Sequence, residues 1–261
     1  MRMSLRFASY LAPALYDTYA AIVSVIAERV GCAATLCVGE QMDASLPNTL
    51  DGAFMCGLLY ARLVDERHAL LEPVAAPIIG EVRYADRPLY YSDVIVRRDS
   101  HYQTLADLRG SIWAYNEDTS HSGYHLVRYG LYTRGLDRSY FSQWRKTGSH
   151  RASIQAVVDG QADASAIDSH VLAVLCKQQP SLAQQLRLID CFGPSTMPPF
   201  IVARHLPEEL KQTIAAAMCE MHQQPHTTAL LHTSLIERFV PVTDADYHAV
   251  RHIYRMSAEA F

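Results

Sequence analysis

Three features of this 261-residue chain predict an α/β fold in two lobes. Short apolar runs alternate with helical patterns along the whole length. Glycines stand where helical patterns stop, as at Gly31, Gly110 and Gly160. A new unit starts near Pro88, and Pro194, Pro198 and Pro199 mark a second break. The expected division is a first lobe of residues 1–88 plus 196–261 and a second of residues 89–195. Two crossover strands would then form a hinge, and the space between two lobes is a natural small-molecule site.

Each element carries a local signal. Leu5 to about Leu11 reads as a strand, and Tyr16–Val30 as a helix stopped by Gly31. Ala34–Val38 and Gly52–Met55 read as strands, and a helix starts near Leu58. Val74–Ile79 is a strand. In the second unit, Ser92–Arg97 is a strand, and Thr104–Gly110 is a short helix with a hydroxyl cap and a glycine stop. Ser111–Tyr115 is a strand, and a helix runs from about Gly123 to Thr133. Ala152–Asp159 is a helix, Ala162–Ile167 a strand, Ser169–Gln178 a helix and Leu186–Ile189 a short strand. Phe200–Ala203 returns as a strand, and the remainder reads as helices.

Composition narrows the function. With 49% hydrophobic and 19% charged residues, the chain is neither disordered nor fibrous. A net charge of −4 argues against holding nucleic acid by bulk charge. No apolar run approaches the ~20 residues of a membrane helix. The six cysteines lack any Cys-x-x-Cys pair and read as small hydrophobes, more at home in a reducing compartment. Met1 to Arg6 could form a basic leader region. Pro13, Tyr16 and Asp17 interrupt the stretch after it, and no signal peptide is evident.

Ligands of open α/β sheets bind outside the carboxyl ends of strands, so the strand-to-helix junctions carry the chemistry. The first is Ser9-Tyr10-Leu11. The second is Phe54-Met55-Cys56-Gly57. The third, Asn116 to Gly123, places Thr119, Ser120, His121 and Ser122 before a helix, where hydroxyls and free N–H groups suit an anion. Such hydroxyls are also ordinary helix caps. His150 comes after Gly148-Ser149 and could donate to an anion, or be a surface residue of the first helical turn. Asp168 ends a strand and could accept from an ammonium or a protonated oxygen, or cap the next helix. Tyr90 and Tyr91 stand beside the first hinge crossing, where they could close on a ligand or simply pack.

The pairs His121/His125 and His248/His252 have helical spacing, whereas Pro225 interrupts any helix between His222 and His226. None carries the Glu of a His-Glu-x-x-His site, and no metal or cofactor is expected. Ser120, His150 and Asp168 could compose a nucleophilic set, although nothing in the sequence orients them as one. Nucleophile-elbow, Walker and dinucleotide motifs are missing from the sequence.

The ordered motifs from Tyr90-Tyr91-Ser92-Asp93 through Leu105-Ala106-Asp107-Leu108-Arg109-Gly110, Asn116 to Tyr124, Gly148-Ser149-His150, Val157 to Ala164 and Asp168 resemble the phosphonate/phosphate-type substrate-binding proteins of ABC importers. Asp51-Gly52-Ala53-Phe54 with Gly57 and Tyr60 resembles that family's first-lobe motif. The resemblance implies a two-lobed periplasmic-binding-protein fold of type II. It also implies a small phosphorus oxyanion as ligand, an ABC permease as partner, a periplasmic location and no catalysis. Ser120, His121 and Ser122 fall on the family's anion loop, Tyr90 on its hinge tyrosine, His150 on its histidine and Asp168 on its acidic pocket residue. Tyr10, at the first junction, completes the expected ligand-binding set. The expected protein is a monomer that binds no nucleic acid. A cytosolic sensor or orphan binder on this fold, or an enzyme acting on a small heterocycle or precursor, are the alternative readings.

Overall fold

The computed structural model describes residues 4–39 and 50–259. Met1–Met3, at the head of the basic stretch, lie outside the described residues. The chain divides into two compact units, one of residues 1–89 and 196–248, the other of residues 90–195 and 249–261.

The first unit holds a six-stranded sheet. Its strands are β1 (Ser4–Ser9), β2 (Ala33–Val38), β3 (Gly52–Phe54), β4 (Leu71–Ile79), β10 (Phe200–Ala203) and β11 (Ile236–Pro241), in the order β11-β4-β10-β3-β1-β2. β1 runs parallel to β2 and β3, and β10 is antiparallel to β3 and β4. Central strands bury both faces, which is why β3 and β10 are apolar without alternation. Gly52 is required in β3, because a Cβ there would lie 2.5 Å from the carbonyl oxygen of Ile201. Phe54 stacks on Tyr19 at 4.2 Å between centroids and packs on Phe200 at 4.7 Å. Tyr19 comes from α1 (Tyr16–Val30), whose Ile22, Val23 and Ile26 share one buried stripe. Gly31 stops that helix in the left-handed conformation at φ 72°. Helices α2 (Gly57–Arg67), α7 (Glu208–Cys219) and α8 (Pro225–Thr233) complete the unit.

The second unit holds a five-stranded sheet. Its strands are β5 (Leu89–Arg97), β6 (Ile112–Tyr115), β7 (Gln143–Lys146), β8 (Ala164–Asp168) and β9 (Leu186–Thr196), in the order β7-β6-β8-β5-β9. β6 is parallel to β7 and β8, and β5 is antiparallel to β8. Trp113 of β6 is fully buried and stacks on Phe141 at 4.4 Å. The helices are α3 (Leu126–Tyr132), α4 (His150–Val158), α5 (Ser169–Gln178) and α6 (Pro180–Gln185), with α9 (His248–Glu259) added from the C-terminus.

Several expectations are corrected. The segment after Ala203 is not all helix, because Ile236–Pro241 forms β11 against β4. Glu237 and Arg238 interrupt its apolar pattern, and its strand character comes from the partner it pairs with. β7 lies outside the sequence expectation for the same reason. β9 extends well past Ile189 and runs through Pro194. It lies at the sheet edge, where a missing N–H costs no ladder bond. Residues 249–259 join the second unit rather than the first. Ile253 enters the second unit's core, and Ser257 Oγ lies 2.8 Å from His125 Nδ1. The chain thus passes between units three times, at 89/90, 195/196 and 248/249, where two passages were expected.

Candidate functional site

Three chain segments of the second unit converge near the carboxyl end of β8. The antiparallel register sets Ser92 of β5 directly opposite Asp168, the last residue of β8. The chain leaving β6 forms a loop and then one π-helical turn, His121–His125, that leads into α3. Ser92 Oγ donates to the carbonyl oxygen of Ser122 at 2.6 Å, which ties this turn to β5. The turn is capped by Ser120, whose Oγ accepts from the Gly123 N–H at 3.1 Å. A Cβ at Gly123 would run into the side-chain oxygen of Asn116, so one of the two must shift.

Ser122 Oγ lies 3.1 Å from Nε2 of His150, the first residue of α4. Nδ1 of His150 is buried without a partner. Burial holds the His150 imidazole down to about 4, so it is neutral at physiological pH. A neutral imidazole carries one N–H. If that proton is on Nε2, it goes to Ser122, whose own hydroxyl proton is then free. If it is on Nδ1, Ser122 donates to Nε2 and the Nδ1–H is free. Either way the pair retains one unspent proton.

Asp168 caps α5, its Oδ1 accepting from the N–H groups of His170 and Val171 at 2.9 and 3.1 Å. Burial pushes its carboxyl up to about 7, against the two backbone donors and with a smaller push from Asp93. It can therefore donate or accept near neutral pH. The bonded partners of Ser92, Ser120, Ser122, His150 and Asp168 are backbone groups, a hydroxyl and an imidazole. The Ser92, Ser120, Ser122 and His150 side chains are neutral, oriented dipoles beside the N-terminus of α4, and Asp168 is the one group of the set that changes charge near neutral pH.

The other expected residues are distributed differently. His121 is only 1% exposed, and its Nε2 lies 2.8 Å from Ser195 Oγ. Burial, with a smaller contribution from His125, holds it down to about 3. Tyr90 is 2% exposed, its ring edge-on to His121 at 6.4 Å. Tyr10 belongs to the first unit, where its N–H donates to the Phe54 carbonyl. Sequence reasoning missed Ser92 and Ser195 as part of this arrangement. Ser92 stood inside a recognised strand, and only the β5–β8 register reveals where it faces.

Two other arrangements weighed in the sequence do not form. His121 and His125 turn to Ser195 and Ser257 respectively, and His252 packs on Tyr129. Among the described residues, no group of three His, Cys, Asp or Glu is gathered to hold a metal. Ser120, His150 and Asp168 each bond to a different partner, so they do not chain as nucleophile, base and orienter. All six cysteines are free. Among the described residues, no helix is long and apolar enough to cross a membrane.

Similar structures share this architecture. A binding protein component of an ABC phosphonate transporter from Pseudomonas aeruginosa superposes with a TM-score of 0.83 at 17% identity, covering 100% of this chain and 88% of that one. PhnD1 from Prochlorococcus marinus, in complex with methylphosphonate, gives 0.82 at 16%, covering 98% of each chain. The aliphatic sulphonate-binding protein SsuA from Escherichia coli gives 0.66 at 16%, covering 98% and 87%. At such identities these likenesses establish the fold, that of the periplasmic binding proteins. Family membership rests on sequence: residues 7–247 match the family model for the phosphonate ABC transporter periplasmic substrate-binding protein, and the chain belongs to that family.

Proposed function

We propose that this chain is the substrate-binding component of an ABC importer and binds a small phosphorus oxyanion, without chemistry, at Ser122, His150 and Asp168. The observation that carries this reading is the Ser122–His150 pair with its one unspent proton, held beside the α4 N-terminus. An oxyanion accepts that proton and draws on the helix-end dipole. Asp168 adds a group that serves a protonated ligand oxygen or an amine, and so tunes selectivity more than affinity. Tyr90 shapes the ligand's surroundings within the second unit, and Ser120 orders the loop. The family supports a periplasmic setting and delivery to a membrane permease. Among solved relatives, PhnD1 was captured with methylphosphonate.

A thermal-shift panel of phosphate, phosphite, sulfate, methylphosphonate and 2-aminoethylphosphonate tests the proposal. Ligand at 1,000 times its Kd should stabilise by about 4 kcal/mol. For a chain of this size that is roughly 8–16 °C. A large shift with one phosphorus compound supports the reading. No shift with any of them, or a shift with sulfate alone, overturns it.

A further inference from the structure

His121 lies in the middle of the loop, yet its hydrogen bond goes to Ser195, while that of Ser122 goes to His150. Its Nε2 meets the hydroxyl of Ser195, the last residue of the second unit before the 195/196 passage. Its ring meets Tyr90, the first residue of that unit after the 89/90 passage. One imidazole therefore contacts residues at both strand passages while its chain neighbours Ser120 and Ser122 form the loop. His121 is 1% exposed and Ser195 3%, so water does not compete for their bond.

Nδ1 of His121 is buried with no partner. The bond between Nε2 and the Ser195 hydroxyl forms in either tautomer, with the imidazole or the hydroxyl as donor. Any movement of the turn carries the imidazole with it, and the hydrogen bond passes that movement to β9.

We propose that His121 is a positioning residue, not a ligand contact: it fastens the anion loop to Ser195 and so links loop occupancy to the two strand passages of the second unit. The inference rests on the oxyanion-binding reading above for what occupies the loop. The fastening itself is testable without ligand.

The test uses Ser195→Ala, which removes the hydroxyl partner with little change of volume, and Ser195→Thr, which restores a hydroxyl. In ligand-free protein, amide exchange over residues 120–125 should rise about tenfold in Ser195→Ala and return toward wild type in Ser195→Thr. With saturating methylphosphonate, wild type should gain protection at residues 89–92 and 193–197. Ser195→Ala should lose that gain and bind methylphosphonate about tenfold more weakly. His121→Gln should add no further loss in the Ser195→Ala background, as expected of a pair acting as one unit.

Unchanged loop exchange in Ser195→Ala overturns the inference, whether or not a ligand binds. Wild-type affinity in Ser195→Ala, or retention of the ligand-induced protection, overturns it as well. If wild type binds no compound of the panel, the functional reading fails, and the ligand-free exchange still decides whether the loop is fastened.

Discussion

Ser122 Oγ and His150 Nε2 lie 3.1 Å apart, joining the turn after β6 to the first residue of α4. Ser92 holds the same turn from β5 through the Ser122 carbonyl. The loop is thereby tied to two separate elements, and each tie can be cut by a conservative substitution.

Removing the shared proton should reduce binding and spare the fold. Ser122→Ala and His150→Ala should each weaken methylphosphonate binding by about 10- to 100-fold, equivalent to about 1.4–2.8 kcal/mol. The double variant should lose less than the sum, because the two side chains act as one group. Isothermal titration beside circular dichroism checks this, and additive losses would count against the pairing.

Acid should destabilise the protein through its buried imidazoles. His121 and His150 are held neutral down to about 3 and 4. The unfolded chain takes up their protons near 6.5, so between that value and the folded ones it binds more protons and stability falls as pH falls. Above about 7 these groups contribute no pH dependence. Denaturant titrations from pH 7 to pH 4 should show the loss, and His150→Gln should reduce it.

Asp168 has the opposite sign. Its folded value of about 7 lies above the unfolded one, so the native state binds more protons between the two. The carboxyl therefore costs stability as pH rises through that window, up to about 4 kcal/mol for roughly three units. Asp168→Asn retains a helix-capping oxygen and should raise Tm at pH 8. The gain should vanish near pH 3.5. An equal Tm change at both pH values would refute the protonation argument.

Gly123→Ala should disturb the loop, because the new Cβ meets Asn116 Oδ1. Overpacking of this kind costs about 1–3 kcal/mol. Asn116→Ser in the same chain shortens the obstructing side chain and should recover most of the loss. Thermal melts of the single and double variants measure it.

The C-terminal helix should stabilise the second unit. Ile253→Ala removes a core side chain at a cost of about 2–5 kcal/mol. Ser257→Ala leaves His125 Nδ1 without that partner, for about 1–3 kcal/mol. Hydrogen exchange should place the loosening on α3 and its turn. Loosening confined to residues 196–248 would contradict the placement of α9.

The sequence by itself determined the α/β class, most of the elements and the family. These depend on local signals: α1 announces itself through its apolar stripe and Gly31, α5 through Asp168, and the family through motifs that keep their order along the chain. The loop from Asn116 to Gly123 and the residues His150 and Asp168 were legible for the same reason. Tertiary structure decided what local patterns do not contain. Strand β11 exists because β4 offers it an edge, and α9 belongs to the second unit because Ile253 and Ser257 find partners there. Ser92 entered the site through a cross-strand register, and His121 turned to Ser195, 74 positions away in the chain. Such pairings are set by long-range packing, which composition and periodicity do not encode.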